Sequence, residues 1–267
     1  MPVKKAYPVE FVYQTLSLLI AAIVIHAFWI AFVWPKTEAI YTFQRAQMQA
    51  DPEFVPDPSI WIIIRDYEQE ACFILMAWAL AIIGYKAVLA FRERKLLEME
   101  LVPVAAGTKI LPEDAREYAR QIQMLPPPQQ RFLLPRTLLS SLHRFGVTRN
   151  IQDAHTTAHA VCESEGDRLD SELAMVRYIA WAIPALGFIG TVRGIGLALS
   201  QAQKAVEGDI SGVTENLGVA FNSTLIALLL GLVLMFLIHQ LQLHQEGLVL
   251  DTESYIDEHL IQHLRVS

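Results

Sequence analysis

The sequence predicts an all-α integral membrane protein with four transmembrane helices and long cytoplasmic helical extensions. Two observations predict it. Of the 267 residues, 53% are hydrophobic and 18% charged, with a mean hydropathy of +0.33, which is too apolar for a soluble domain. Four runs are also long enough to cross a hydrocarbon core about 30 Å thick, which takes about 20 helical residues. The formal charge of −7 argues against binding nucleic acid, which needs a basic face to neutralise phosphates. Cys72, in an apolar run, and Cys162, in a polar one, do not make a disulfide framework.

The first span runs from Leu16 to Trp34, with His26 as its only ionisable residue. It is too long for a signal-peptide core and lacks a following small-residue cleavage site, so it reads as a retained helix. The second covers Ala71 to Phe91 with Lys86 near its end, the third Tyr178 to Leu199, and the fourth Leu217 to Ile238. Orientation follows from Lys and Arg, which stay on the cytoplasmic side of a helix end. Lys4 and Lys5 precede the first span, Arg92, Arg94 and Lys95 follow the second, and Arg177 precedes the third. Residues 35–70 set Lys36, Arg45 and Arg65 against Glu38, Asp51, Glu53, Asp57, Asp66, Glu68 and Glu70, as an extracytoplasmic loop should. Both termini are then cytoplasmic, and Trp29, Trp34 and Trp61 suit the outer interface as aromatic anchors.

Four consecutive parts follow: residues 1–91 with two peripheral spans and an acidic outer loop, a cytoplasmic helical segment 92–177, two inner spans in 178–238, and a cytoplasmic C-terminal helix 239–267. In the cytoplasmic segment, Leu89 to Leu101 extends the second helix, Pro112-Glu113-Asp114 starts another and Pro126-Pro127-Pro128 ends it. Asn150 to Arg177 has no Pro and one Gly, which suits a helix running into the third span. In the tail, Leu248, Ile256, Leu260 and Leu264 share one helical stripe.

The third and fourth spans carry the polar and small residues. At about 100° per residue from Thr191, Pro184 falls near +20°, Gly187 near −40°, Gly194 near −60° and Ala198 near −20°. Gly190-x-x-x-Gly194 also has the spacing that lets membrane helices approach closely. In the fourth span Ala220, Ala227, Leu228 and Gly231 lie within about 60° of Thr224 by the same count. Thr191 stands about 20 Å up from Tyr178 and Thr224 about 10 Å down from Leu217, so the two meet at one depth. Each face alone reads equally well as ordinary helix packing, whereas two hydroxyl-bearing small faces at one level favour a narrow polar path. Neither Asp nor Glu occurs within the four runs, so a proton relay lacks its carboxylate unless His26 serves. A simple interhelical hydrogen bond is the plainer role for that histidine, and the missing acid is expected from a partner.

The stretch Ile183-Pro184-Ala185-Leu186-Gly187-Phe188-Ile189-Gly190-Thr191-Val192-Arg193-Gly194 resembles the third-helix signature of the MotA/TolQ/ExbB proton-channel family. The run from Leu217 to Gly231 is similar to that family's last helix, and the resemblance covers about residues 175 to 245. Four spans with a large insert after the second resemble the flagellar-stator branch. The resemblance implies a homopentamer in a bacterial inner membrane, around two copies of a single-span MotB/TolR/ExbD-like partner whose membrane Asp carries protons. It matches Thr191 to the pore threonine and Thr224 to the second family threonine, with Ala227 where a glycine is often found. Asn222 and Ser223, more polar than is usual there, join the ion path and leave H+ and Na+ both open. The remaining small residues are helix-packing and partner-contact positions. By the same resemblance, ion flow turns the pentamer about the partner dimer, with flagellar rotation, outer-membrane transport, gliding and defence as the candidate processes.

Arg193 lies about 200° from Thr191, on the opposite face, and reads as an anchor that snorkels outward or pairs with Asp209 or Glu215. His155, His159 and Cys162 have a permissive metal spacing, as do His259 and His263, but solvated helix faces generate such pairs by chance. No phosphate loop, nucleophile elbow or paired-carboxylate cleft stands out, so neither enzymatic catalysis nor a bound cofactor is expected. A non-conducting membrane scaffold is the alternative to an ion-driven motor subunit.

Overall fold

A computed structural model describes residues 9–51, 54, 59–99, 101–102 and 109–266. Lys4, Lys5, Glu53 and Asp57, used above for orientation, lie outside the described residues. In chain order the helices are α1 (Val9–Phe28), α2 (Trp34–Ala50), α3 (Ile60–Ile63), α4 (Tyr67–Leu97), α5 (Ala115–Gln123), α6 (Leu133–Thr148), α7 (Ile151–Glu172), α8 (Ala174–Ser200), α9 (Ala202–Val206) and α10 (Ser211–His259). The described residues contain no strand, only an isolated bridge between Ile110 and Leu264. Four helical stretches are long and apolar enough to cross a membrane: Phe11–Met48, Tyr67–Leu97, Ile151–Ser200 and Ser211–His263.

Two compact units divide the chain, and each is discontinuous in sequence. One takes the residues up to Ile83 together with Met175–Ile238, the other Gly84–Ala174 together with the residues from His239. The four consecutive parts expected from the sequence are thus regrouped, first with third and second with fourth, with the first boundary after Ile83 rather than at residue 91.

In the first unit the helix does not stop at Trp34. It passes through a wide π turn, Trp29–Val33, and goes on to Ala50. The widened turn stands just before Pro35, where a proline ring in a regular helix collides with the carbonyl four residues back. The Thr37 hydroxyl lies 2.7 Å from the Val33 carbonyl and 2.9 Å from that of Trp61, tying this extension to the loop. Trp29 is not an interfacial anchor: it is 2% exposed and packs against Phe73, ring centroids 5.4 Å apart. Trp34 donates to the Arg65 carbonyl at 3.3 Å. The Tyr13 hydroxyl donates to Ala81 O at 3.1 Å and Trp78 Nε1 to Gln14 O at 2.8 Å, fixing α1 against α4.

The second unit has a core of Leu96, Ile110, Ile122, Leu138, Leu142, Phe145 and their neighbours. Leu248, Ile256, Leu260 and Leu264 are all buried, but α10 ends at His259, so only Leu248 and Ile256 lie on the helix's buried face, and Leu260 and Leu264 are buried in the turn and the bridge to Ile110 that follow it. The Asp114 carboxylate accepts from Leu111 N–H at 3.1 Å at the start of α5, which ends ahead of the three prolines. The turn from α6 to α7 places Arg149 in the left-handed region, φ 53°, and Asn150 caps α7 by accepting from Gln152 N–H at 2.8 Å. Lys86, 3% exposed, pairs with Glu172 at 2.8 Å. Arg168 bridges Glu172 and Glu165, and Glu165 also accepts from Arg136 at 2.6 Å. Buried charge is tolerated here because each carboxylate and the lysine has a partner.

Candidate ion path between the third and fourth spans

The small faces of α8 and α10 meet each other within one chain. A Cβ added at Gly194 would stand 2.7 Å from the Ala220 amide nitrogen and 2.8 Å from the Asn216 carbonyl, and one at Gly187 would overlap Ala227 Cβ. At Gly190 it would be 2.5 Å from Ser223 Cβ, and at Gly231 it would be 3.2 Å from Pro184 Cγ. Ala198, Ala220 and Ala227 are all buried. The helices therefore touch backbone to backbone, and side-chain volume at these positions is what would separate them.

This approach brings Thr191 and Thr224 into direct contact, hydroxyl to hydroxyl. The Thr191 oxygen also stands 3.1 Å from the Ala220 carbonyl and 3.2 Å from that of Gly187, and the Thr224 oxygen 3.3 Å from Gly187. With one proton per hydroxyl, one threonine donates to a carbonyl and the other donates to it, leaving lone pairs for a further donor or cation. Both residues are half-buried. Ser223 is 1% exposed and donates to Val219 O at 2.9 Å. Asn222 lines a cavity of about 790 Å³ with Tyr41, Arg45, Arg65 and Glu215.

Arg193 is anchored, though not by the carboxylates expected. Its Nη2 donates to Glu68 Oε2 at 2.8 Å, its Nε lies 2.6 Å from Glu68 Oε1, and Asp66 stands at 3.5 Å. Glu215 is instead held between Arg45 and Arg65, 3.6 Å from each, and Asp209 accepts from Ser211 N–H at 3.0 Å. Burial pushes the Asp66 carboxyl above the usual carboxylate range, with Arg65 and then Arg193 opposing.

Glu68 and Glu70 have roles that the apolar runs do not reveal. The second helix begins at Tyr67, four residues before the apolar run, so both acids lie in its first turn. Glu68 turns to Arg193, and Glu70, 6% exposed, lies 2.6 Å from His26 Nδ1 on the first span. The alternation Asp66-x-Glu68-x-Glu70 directly ahead of an apolar run is the available signal, since acids favour a helix's first turn. Among the described residues no three His, Cys, Asp or Glu side chains converge to hold a metal. His159 pairs with Glu253 at 2.8 Å, and His259 stacks on Tyr255.

Four membrane-length helices, with hydroxyls meeting where two of them touch most closely, define a multi-pass membrane protein with a polar seam. Residues 133–254 match the model of the MotA/TolQ/ExbB proton channel family. The match takes in α6 and α7 as well as the two spans, beyond the stretch from residue 175 that carries the resemblance in sequence. No curated protein and no solved structure matches the chain.

Proposed function

We propose that the chain is the ion-conducting, stator-like subunit of an ion-driven motor in a bacterial inner membrane, with both termini in the cytoplasm. The observation that carries this reading is the contact of Thr191 and Thr224 inside the family-matching segment. The hydroxyls offer oxygen lone pairs to a hydronium or a sodium ion and can pass a hydrogen bond along. They supply no charge, and the acids in the first turn of the second span, Glu68 and Glu70, are bound to Arg193 and His26. The ionisable carrier at the threonine level is then the Asp of a single-span MotB/TolR/ExbD-like partner, the kind with which this family typically works. Five copies of the chain surround two of the partner, and each ion that loads and leaves the Asp advances the ring.

A scaffold that conducts nothing would also pack its small faces as α8 and α10 do, so flux separates the two readings. The subunit and its partner are placed in vesicles and the ion flux is measured for the unaltered pair and for the Thr191→Val/Thr224→Val variant. Losing hydrogen bonds worth about 1–1.5 kcal/mol at the barrier slows passage about 5–10-fold or more. Undiminished flux in the variant contradicts the path, and absence of flux in the unaltered pair leaves the scaffold.

A further inference from the structure

The second unit carries a basic groove of about 720 Å³ on its surface. Arg116 and Arg120 of α5 and His143 and Arg144 of α6 line it, with Thr157 of α7, and no carboxylate does. All four basic side chains are exposed, and the three guanidinium groups form no ion pair with a described residue. In a chain of net charge −7 such a concentration of unpaired cations calls for an acidic occupant. Val147, 69% exposed, lies in the same groove, so the occupant also covers apolar surface.

The matching surface is on the same unit. Glu163, Asp167 and Asp170 are exposed on α7, about 80–140° around the helix from Thr157 by the helical count. Asp170 is bonded to Gln242 at 3.5 Å. Close by, Asp170 and Glu246 border an apolar cleft that contains no basic residue, beside Leu250, 63% exposed. The basic surface formed by α5 and α6 beside Thr157 and the acidic flank of α7 are therefore distinct, and both also expose apolar side chains.

We propose that the basic groove of one copy receives the acidic flank of α7 from a second copy. The two surfaces differ, so the contact is heterologous: each copy uses its groove for one neighbour and its acidic flank for the next, and the series ends in a ring when the rotation closes. The inference rests on the ring in the proposed function and assigns it a polar seam outside the membrane.

The test uses the full chain in detergent, with assembly state read by mass photometry at about 0.1 M salt, where exposed charges still interact across about 10 Å. Arg116→Glu/Arg120→Glu/Arg144→Glu and, separately, Glu163→Arg/Asp167→Arg/Asp170→Arg are each expected to lower the assembled fraction several-fold, and the two sets combined to restore it. Restoration shows that both altered chains fold. Unchanged assembly in both single sets, or no recovery in the combination, overturns the docking but leaves the ring. An unaltered chain that is monomeric sinks the ring as well. If groove reversal abolishes binding to phosphatidylglycerol vesicles while assembly stays intact, the groove belongs to lipid phosphate and the proposal fails.

Discussion

At the scale of single residues, Arg193 shows how a charge is accommodated at the end of a span. The sequence placed it opposite Thr191 and expected a partner from the outer loop after the third span. It finds Glu68 and Asp66 instead, because the second helix begins earlier than its apolar run and carries its acids in the first turn. Nothing in residue spacing sets which of several acids a long side chain reaches; that depends on how helices distant in sequence pack. Since Glu68 is largely buried while Arg193 is 38% exposed, removing the acid strands a partly solvated charge and should cost about 1–3 kcal/mol. Thermal unfolding in detergent checks this: Glu68→Gln lowers the midpoint, and adding Arg193→Met recovers part of the loss. Equal midpoints for all three proteins would show that the pair does not hold the two spans together.

Among the elements, the contact of α8 with α10 was half legible. Small residues recurring at helical spacing marked both faces, and counting from the membrane edges put Thr191 and Thr224 at one depth. Whether those faces met a partner, a neighbouring copy or each other was not in the pattern, since a small face serves any close approach. In the structure they meet each other, so they no longer supply the argument for a ring. The turn before Pro35 was illegible for a related reason: a proline marks an expected stop, and the π turn ahead of it lets the helix continue. Gly194 and Gly196 make a paired test of the contact. A Cβ at Gly194 meets backbone at 2.7–2.8 Å, whereas one at Gly196 meets nothing within 4 Å. Gly194→Leu is expected to destabilise by about 1–3 kcal/mol or more and to reduce ion flux, and Gly196→Leu to leave both nearly unchanged. Similar behaviour of the two variants in unfolding and flux measurements would contradict the close approach.

For the whole molecule, the four membrane-length helices were legible because a bilayer demands length and apolarity that composition shows directly. The division into units was not. Long helices α4 and α10 each contribute to both units; the boundary in α10 falls at Ile238, where the apolar run ends, whereas the one in α4, after Ile83, falls inside an apolar run that continues to Phe91 and that composition does not divide. The apolar spacing of the tail marks buried positions but not that the helix stops at His259, and the packing of Ile256, Leu260 and Leu264 beside Ile110 and Phe145 in one core requires the chain to return from far away in sequence. In the proposed assembly, copies of this chain encircle partner helices, with the threonine contact bordering the space between. Cryo-electron microscopy of the chain purified with its single-span partner measures this most directly. The predicted result is a closed ring of five copies around two partner helices, with Thr191 and Thr224 on the inner wall at the level of the partner's Asp; a monomer, a two-fold dimer, or a ring whose threonines face lipid would contradict it.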